Sequence, residues 1–276
     1  MDLEWWITHV THAWLTSLVR DGGRYAAFSV AVWLLLWVAL RRPLAPRKIR
    51  VATPPMRQLV LEFFTSIRSV AVFATATVAM IVASHWGWYP LVRAAHAWGP
   101  IWFWTCLALM ILAHDAYYYW THRAMHSARL AAIHRRHHRS ANPSPFSAYC
   151  FSLGEATLMV SFVVIWPWIV PTPWAVIPLF IIHQILRNTL AHCGYELAPA
   201  GMGGRPMFDW LTTTTHHDLH HANAGYNFGL YFTWWDRWMG TEHPDYHAAY
   251  ARAAGRKAAA KPLLATGAAT KVAAAG

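Results

Sequence analysis

Charge is scarce in this chain. Asp, Glu, Lys and Arg make up 13% of its 276 residues, while 56% are hydrophobic. A soluble domain carries about twice that charge, so the composition argues against one and for an integral membrane protein. Cysteine is scarce as well. Cys106, Cys150 and Cys193 are far apart and lack C-x-x-C spacing, which argues against a disulfide scaffold and fits a cytosol-facing active region. There is no C-x-x-C-H haem-attachment sequence and no room for a separate redox domain. Acidic residues number 12 against 23 basic ones, a net charge of +11, but no nucleic-acid motif accompanies the excess, so no nucleic-acid partner is expected. Asp2 and Glu4 stand where a signal peptide would have a basic region, so no cleaved signal is expected.

Apolar runs and tryptophan are abundant. The runs cover Tyr25 to Leu40, Ser69 to Ala83, Ile101 to Tyr119 and Ala156 to Leu186. The last is too long for one span and is broken by Pro167, Pro171, Pro173 and Pro178, which predicts a helical hairpin. Many of the 18 tryptophans flank these runs, among them Trp5, Trp6, Trp86, Trp88, Trp98, Trp166 and Trp168, as in an interfacial aromatic belt. The expected architecture is all-α: a polytopic membrane bundle of about four spans, the last a proline-broken hairpin, with a cytosolic histidine-rich helical cap. Arg41, Arg42, Arg47, Lys48, Arg50, Arg57 and Arg68 read as a cytoplasmic flank near anionic headgroups, and the basic residues between Arg123 and Arg139 read likewise. With both flanks inside and 151–187 returning on itself, every histidine cluster meets on the cytoplasmic face. One domain over 1–247 is expected, followed by an Ala-rich, flexible tail over 248–276.

Twelve of the 18 histidines lie between His114 and His221, mostly in clusters with metal-ligand spacing. Positions i, i+3 and i+4 share a helix face. His122 and His126 are four apart. His134, His137 and His138 are related by three and four, and so are His217, His220 and His221. His114 lies eight residues before His122, on a neighbouring face. His192 follows the hairpin. Eight or more converging imidazoles exceed one tetrahedral zinc and suit two first-row ions. The expected metal ligands are His114, His122, His126, His134, His137, His138, His192, His217, His220 and His221. His122, His137, His220 and Glu196 are expected to carry catalysis, Glu196 by bridging or by standing behind the ligands. Asp115 orients an imidazole, or else caps a helix or pairs with Arg123. His183, on the opposite helix face from His192, is expected to pack or to face substrate. Asp218 faces away or bonds an imidazole. Asp236 and Arg237 are read as an ion pair, and Asn227 with Gly229 as a tight turn. His9, His12, His85, His96, His243 and His247 are isolated.

The motifs together resemble the fatty acid hydroxylase/sterol desaturase superfamily of membrane di-iron oxygenases. They are H-D-x-x-Y-Y-W-x-H-R-x-x-H at 114–126, H-x-x-H-H at 134–138, N-x-x-x-H-x-G-Y-E at 188–196, H-H-x-x-H-H at 216–221 and W-D-R-x-x-G-T at 235–241. Asn188 stands where some relatives carry a further histidine. The resemblance implies two irons, replaceable by zinc during purification, and O2 as co-substrate. It implies hydroxylation or desaturation of a bilayer lipid, with electrons from a separate ferredoxin, rubredoxin or cytochrome-type donor. A multi-pass protein of the inner membrane, if the source is bacterial, is expected. A metal transporter would instead distribute its ligands along a path through the spans.

Overall fold

A computed structural model describes residues 3–92 and 98–255. His96 and residues 256–276 of the expected tail lie outside these. Three helices are long and apolar enough to cross a membrane. Helix α1 (Leu3–Trp33) continues through a π-helical stretch, Leu34–Ala39; α2 spans Met56–His85 and α3 Gly99–Met125. Each shows apolar side chains outward: Val19 on α1, Phe64 on α2 and Ile101 on α3 are more than half exposed, as lipid-facing residues are.

The proline-split region folds as the hairpin expected, with α5 (Leu153–Ile169) and α6 (Val176–Ala191) joined by a short turn. Ser152 Oγ caps α5 by accepting from the Glu155 amide at 3.1 Å. Pro167 sits in the last turn of α5, and Pro178 in the first turn of α6, where no amide donor is needed. A two-residue parallel pairing, β1 (Leu91–Val92) with β2 (Thr172–Pro173), ties this turn to the segment after α2. Inside the bundle Phe103, Cys106 and Met110 of α3 pack against Phe162, Trp166 and Phe180 of the hairpin.

The cap is built from short helices at the opposite end: α4 (Ala131–His138), α7 (Thr214–Ala222), α8 (Trp234–Trp238) and α9 (Tyr246–Ala253). Helix α9 takes in the head of the expected tail, because Ala249, Tyr250 and Ala253 are buried against the cap. The basic flank is partly consumed there. Arg47 donates to the Leu197 and Ala198 carbonyls, and Arg50 Nε lies 2.7 Å from Asp218 Oδ1. Two of the expected headgroup-facing arginines therefore hold the cap to the bundle instead. Gly194 ends the α6 segment at φ +78°; a Cβ there would stand 2.7 Å from the Trp37 ring.

Candidate metal centre

Nine histidines converge in two adjoining groups. His122, His126, His134, His138 and His220 form one; His137, His192, His217 and His221 form the other. In each group the ligand nitrogens all lie within 4.8 Å of one another. Helix α3 supplies His122 and His126. Helices α4 and α7 each serve both groups: the residues four apart stay together (His134 with His138, His217 with His221), while the i+3 residue, His137 or His220, joins the other group. The groups touch, with the His134 and His137 rings 5.1 Å apart and the His138 and His221 rings likewise 5.1 Å apart.

The hydrogen bonds behind the rings fix which nitrogen faces inward. His122 Nδ1 lies 2.9 Å from the Phe228 carbonyl, His192 Nδ1 2.8 Å from that of Asn188, and His220 Nδ1 2.6 Å from that of Tyr226. A carbonyl only accepts, so each Nδ1 carries the proton and each Nε2 a lone pair. His134 Nδ1 lies 2.6 Å from Glu155 Oε1. The Nε2 atoms of His122 and His134 stand 3.0 Å apart; with a cation between them, both lone pairs would turn inward and Glu155 would accept from His134 Nδ1–H. Other Nε2 pairs stand at like distances: His138 and His126 at 3.2 Å, His220 and His138 at 3.1 Å, His192 and His137 at 3.2 Å, and His217 and His192 at 3.0 Å. Two nitrogens each about 2.1 Å from one first-row ion, at a right angle, stand about 3.0 Å apart. The donor set thus fits a cation in each group, and imidazole nitrogens suit first-row transition ions.

Burial, reinforced by the neighbouring imidazoles, keeps these rings neutral. It holds His137, His217, His220 and His221 well below the ordinary histidine range and brings His138 down to about 3. Burial likewise brings His192 down to about 4, against the opposing pull of the Asn188 carbonyl. Neutral imidazole is the ligating form.

Several expected residues stand elsewhere. His114 belongs to neither group; it is buried between the rings of Phe162 and Phe180, and its Nδ1 lies 3.0 Å from the Tyr231 hydroxyl. Its eight-residue offset carries it about two turns down α3, away from the ligands. Glu196 is also outside both groups. It accepts from the Thr215 amide at 3.0 Å and the Ala198 amide at 2.8 Å, so its carboxylate caps the N-terminus of α7. Asp115 neither orients a ligand nor meets Arg123; it accepts from the Tyr231 and Phe232 amides and from Trp234 Nε1. Asp218 pairs with Arg50. Asp236 is not the partner of Arg237, which reaches Glu242 and Asp209 instead. Asp236 is buried and accepts from the Phe228 and Gly229 amides, closing the turn in which Asn227 has φ +59°. His183 packs on the Tyr231 ring at 4.7 Å. His216 turns away from both groups, its Nε2 3.5 Å from Asp236.

Glu155, Phe228, Tyr226 and Phe151 were missed by the sequence reading. Glu155 had a signal: it is the one acid in the apolar stretch Leu153–Ile169, and an ionisable residue in such a stretch is functional by default. Replacing it (Glu155→Gln) is expected to weaken metal binding about 10–100-fold, the usual cost of losing a carboxylate behind a ligand imidazole. Metal titration of the purified variant reads this; unchanged affinity would reject the role.

Beside the second group lies a cavity of about 370 Å³ among α1, α2, α5 and α6. Val70, Phe73, Met159, Ile181 and Ile185 line it. Phe151 forms its wall next to the ligands, its ring 5.5 Å from that of His137.

The fold and the site together define a helical membrane protein with two histidine groups able to hold metal. Residues 107–241, about half of the chain, match the family model described as fatty acid hydroxylase. It is similar to methylsterol monooxygenase 1 of Rattus norvegicus, 28% identical over 165 residues, or 54% of this chain and 50% of the relative. Lathosterol oxidase of Mus musculus is 31% identical over 134 residues, covering 48% of this chain and 43% of that one. The cholesterol 25-hydroxylase-like protein of Danio rerio is 27% identical over 161 residues, covering 58% and 64%. The chain spans about half the length of the curated relatives it matches. No solved structure matches it significantly.

Proposed function

We propose that this protein is a di-iron oxygenase that hydroxylates an unactivated C–H bond of a membrane lipid. The observation that carries the reading is the placement of nine inward-facing imidazoles at one end of the bundle, against an apolar cavity. Two irons held by His122, His126, His134, His138 and His220, and by His137, His192, His217 and His221, would supply the O2-dependent oxidising power that side chains lack. The chain's own residues do the rest. Glu155 and the Phe228, Asn188 and Tyr226 carbonyls hold four imidazoles with Nε2 inward. The apolar wall from Val70 to Ile185 admits a lipid chain and excludes water. Phe151 bounds the approach of that chain to His137. Electrons come from a separate donor protein. Sterols, which the relatives' names carry, are the first substrates to test. Both groups gather at one end of the bundle, unlike the ligands of a transport path.

Metal analysis with a lipid comparison of cells with and without the protein, under oxygen, tests this reading. Iron near two per chain and a lipid gaining one oxygen are expected. A lipid losing two hydrogens assigns desaturation to the same site, and absence of bound transition metal in folded protein rejects the reading. The cap is proposed to face the cytoplasm. Cys106, Cys150 and Cys193 are fully buried and Val51 is fully exposed, so a Val51→Cys variant offers one reactive thiol among the described residues. A membrane-impermeant maleimide should label it only after permeabilisation; labelling in intact cells rejects the orientation.

A further inference from the structure

The second buried histidine of interest is His114, which the metal groups leave out. It is 3% exposed yet lines the cavity. Its ring is clamped between Phe162 at 4.9 Å and Phe180 at 5.0 Å, and its Nδ1 is 3.0 Å from the Tyr231 hydroxyl. Tyr231 is itself fixed, its amide 2.8 Å from Asp115 Oδ1 and its ring against His183. The imidazole therefore has one orientation. Its Nε2 has no protein partner among the described residues. Whatever occupies the cavity can therefore bond to Nε2 without displacing a protein partner.

The chemistry of the surroundings narrows the ligand. If Tyr231 donates to Nδ1, Nε2 carries the proton and needs an acceptor; if Nδ1 donates to Tyr231, Nε2 needs a donor. A hydroxyl group serves both cases. Beside His114 a cationic headgroup finds no free carboxylate: both Asp115 oxygens are engaged by Tyr231, Phe232 and Trp234. Arg20 and Arg24, also on the cavity wall, share the single Asp21 at 3.0 and 3.3 Å, so the one positive charge left over makes a carboxylate the competing ligand to test. Of the other neutral polar residues on the wall, Thr77 donates back to the Phe73 carbonyl and Tyr149 donates to Gln184 Oε1.

We infer that the cavity takes a lipid alcohol and that His114 binds its hydroxyl through Nε2. This deepens the oxygenase reading and rests on it. His114 lies eight residues, about 12 Å along the axis of α3, from the ligand His122, so the anchored hydroxyl is remote from the carbon presented beside Phe151.

Equilibrium binding to the full-length, metal-loaded protein, kept anaerobic, tests the inference without requiring turnover. The probes are two matched pairs, cholesterol with its hydroxyl-free hydrocarbon and octadecanol with octadecane. Wild type should prefer the alcohol in at least one pair by about tenfold, as sites built around a hydroxyl do. His114→Ala should lose that preference while keeping its metal, and His114→Gln, which retains an amide, should regain part of it. Equal affinity for alcohol and hydrocarbon in both pairs overturns the inference. So does a preference that survives in His114→Ala, or stearate outcompeting octadecanol. Metal loss in both His114 variants would make His114 a ligand and also overturn it. Binding as expected but with no oxidised lipid under O2 and electrons would sink the oxygenase reading alone.

Discussion

His137→Ala and His220→Ala each lower bound metal from about two to about one per chain, and turnover falls more than about 100-fold, beyond the usual cost of losing a residue behind a ligand. The two substitutions strike different groups: His137 is one of four in its group and His220 one of five. Each is fully or almost fully buried, so alanine leaves no side chain able to reach the vacated position. The neighbouring lone pairs remain. His192 Nε2 still faces His217 at 3.0 Å after loss of His137, now with one nitrogen fewer around any ion. Elemental analysis and turnover on the same preparation check both halves of the expectation. His183→Ala and His216→Ala serve as controls, since these histidines, the first half-buried and the second buried, belong to neither group and should retain metal. Wild-type turnover in either His137→Ala or His220→Ala would reject the ligand assignment.

Asp236→Ala unfolds the cap at a temperature about 10 °C lower, from a loss of about 3–5 kcal/mol. The side chain is fully buried and accepts three hydrogen bonds at 2.8 Å, from the Phe228 amide, the Gly229 amide and the Thr241 hydroxyl. Alanine leaves those three donors without an acceptor, each at about 1–3 kcal/mol before relaxation. The damage is not confined to stability. The same turn presents the Phe228 carbonyl to His122 Nδ1, so the variant should also bind metal more weakly, by about tenfold or more. A thermal melt with and without metal separates the two effects. A melt unchanged from wild type would mean that the turn does not depend on this carboxylate.

Local periodicity carried much of this structure. The i, i+4 pairs of α3, α4 and α7 share groups because residues four apart stack on one helix face. The prolines marked the α5–α6 hairpin, since proline lacks the amide that a helix interior needs and is readily accepted in a first turn, as Pro178 is in α6. Where the reading failed, the deciding partner was distant in sequence. Asp115 meets the Tyr231 amide across 116 residues, and Glu196 reaches the start of α7 across 19. No local pattern distinguishes a carboxylate that caps a backbone from one that faces a metal. His114 was misplaced for a different reason: its spacing from His122 put it near the ligand face, but the same eight residues are about two turns of axial distance, which takes it to Phe162 and Phe180 instead. The division of each H-x-x-H-H cluster between two groups was equally hidden, because it depends on α4 and α7 lying on opposite sides of the same centre.

That division has a consequence for the spacing between the ions. His137 and His138 are consecutive residues serving different groups, and so are His220 and His221; their ring centres are 5.9 and 6.1 Å apart. Neighbours along a backbone cannot drift apart when helices loosen. The chain therefore carries a covalent tether, laid down twice, that limits how far its two binding positions can separate.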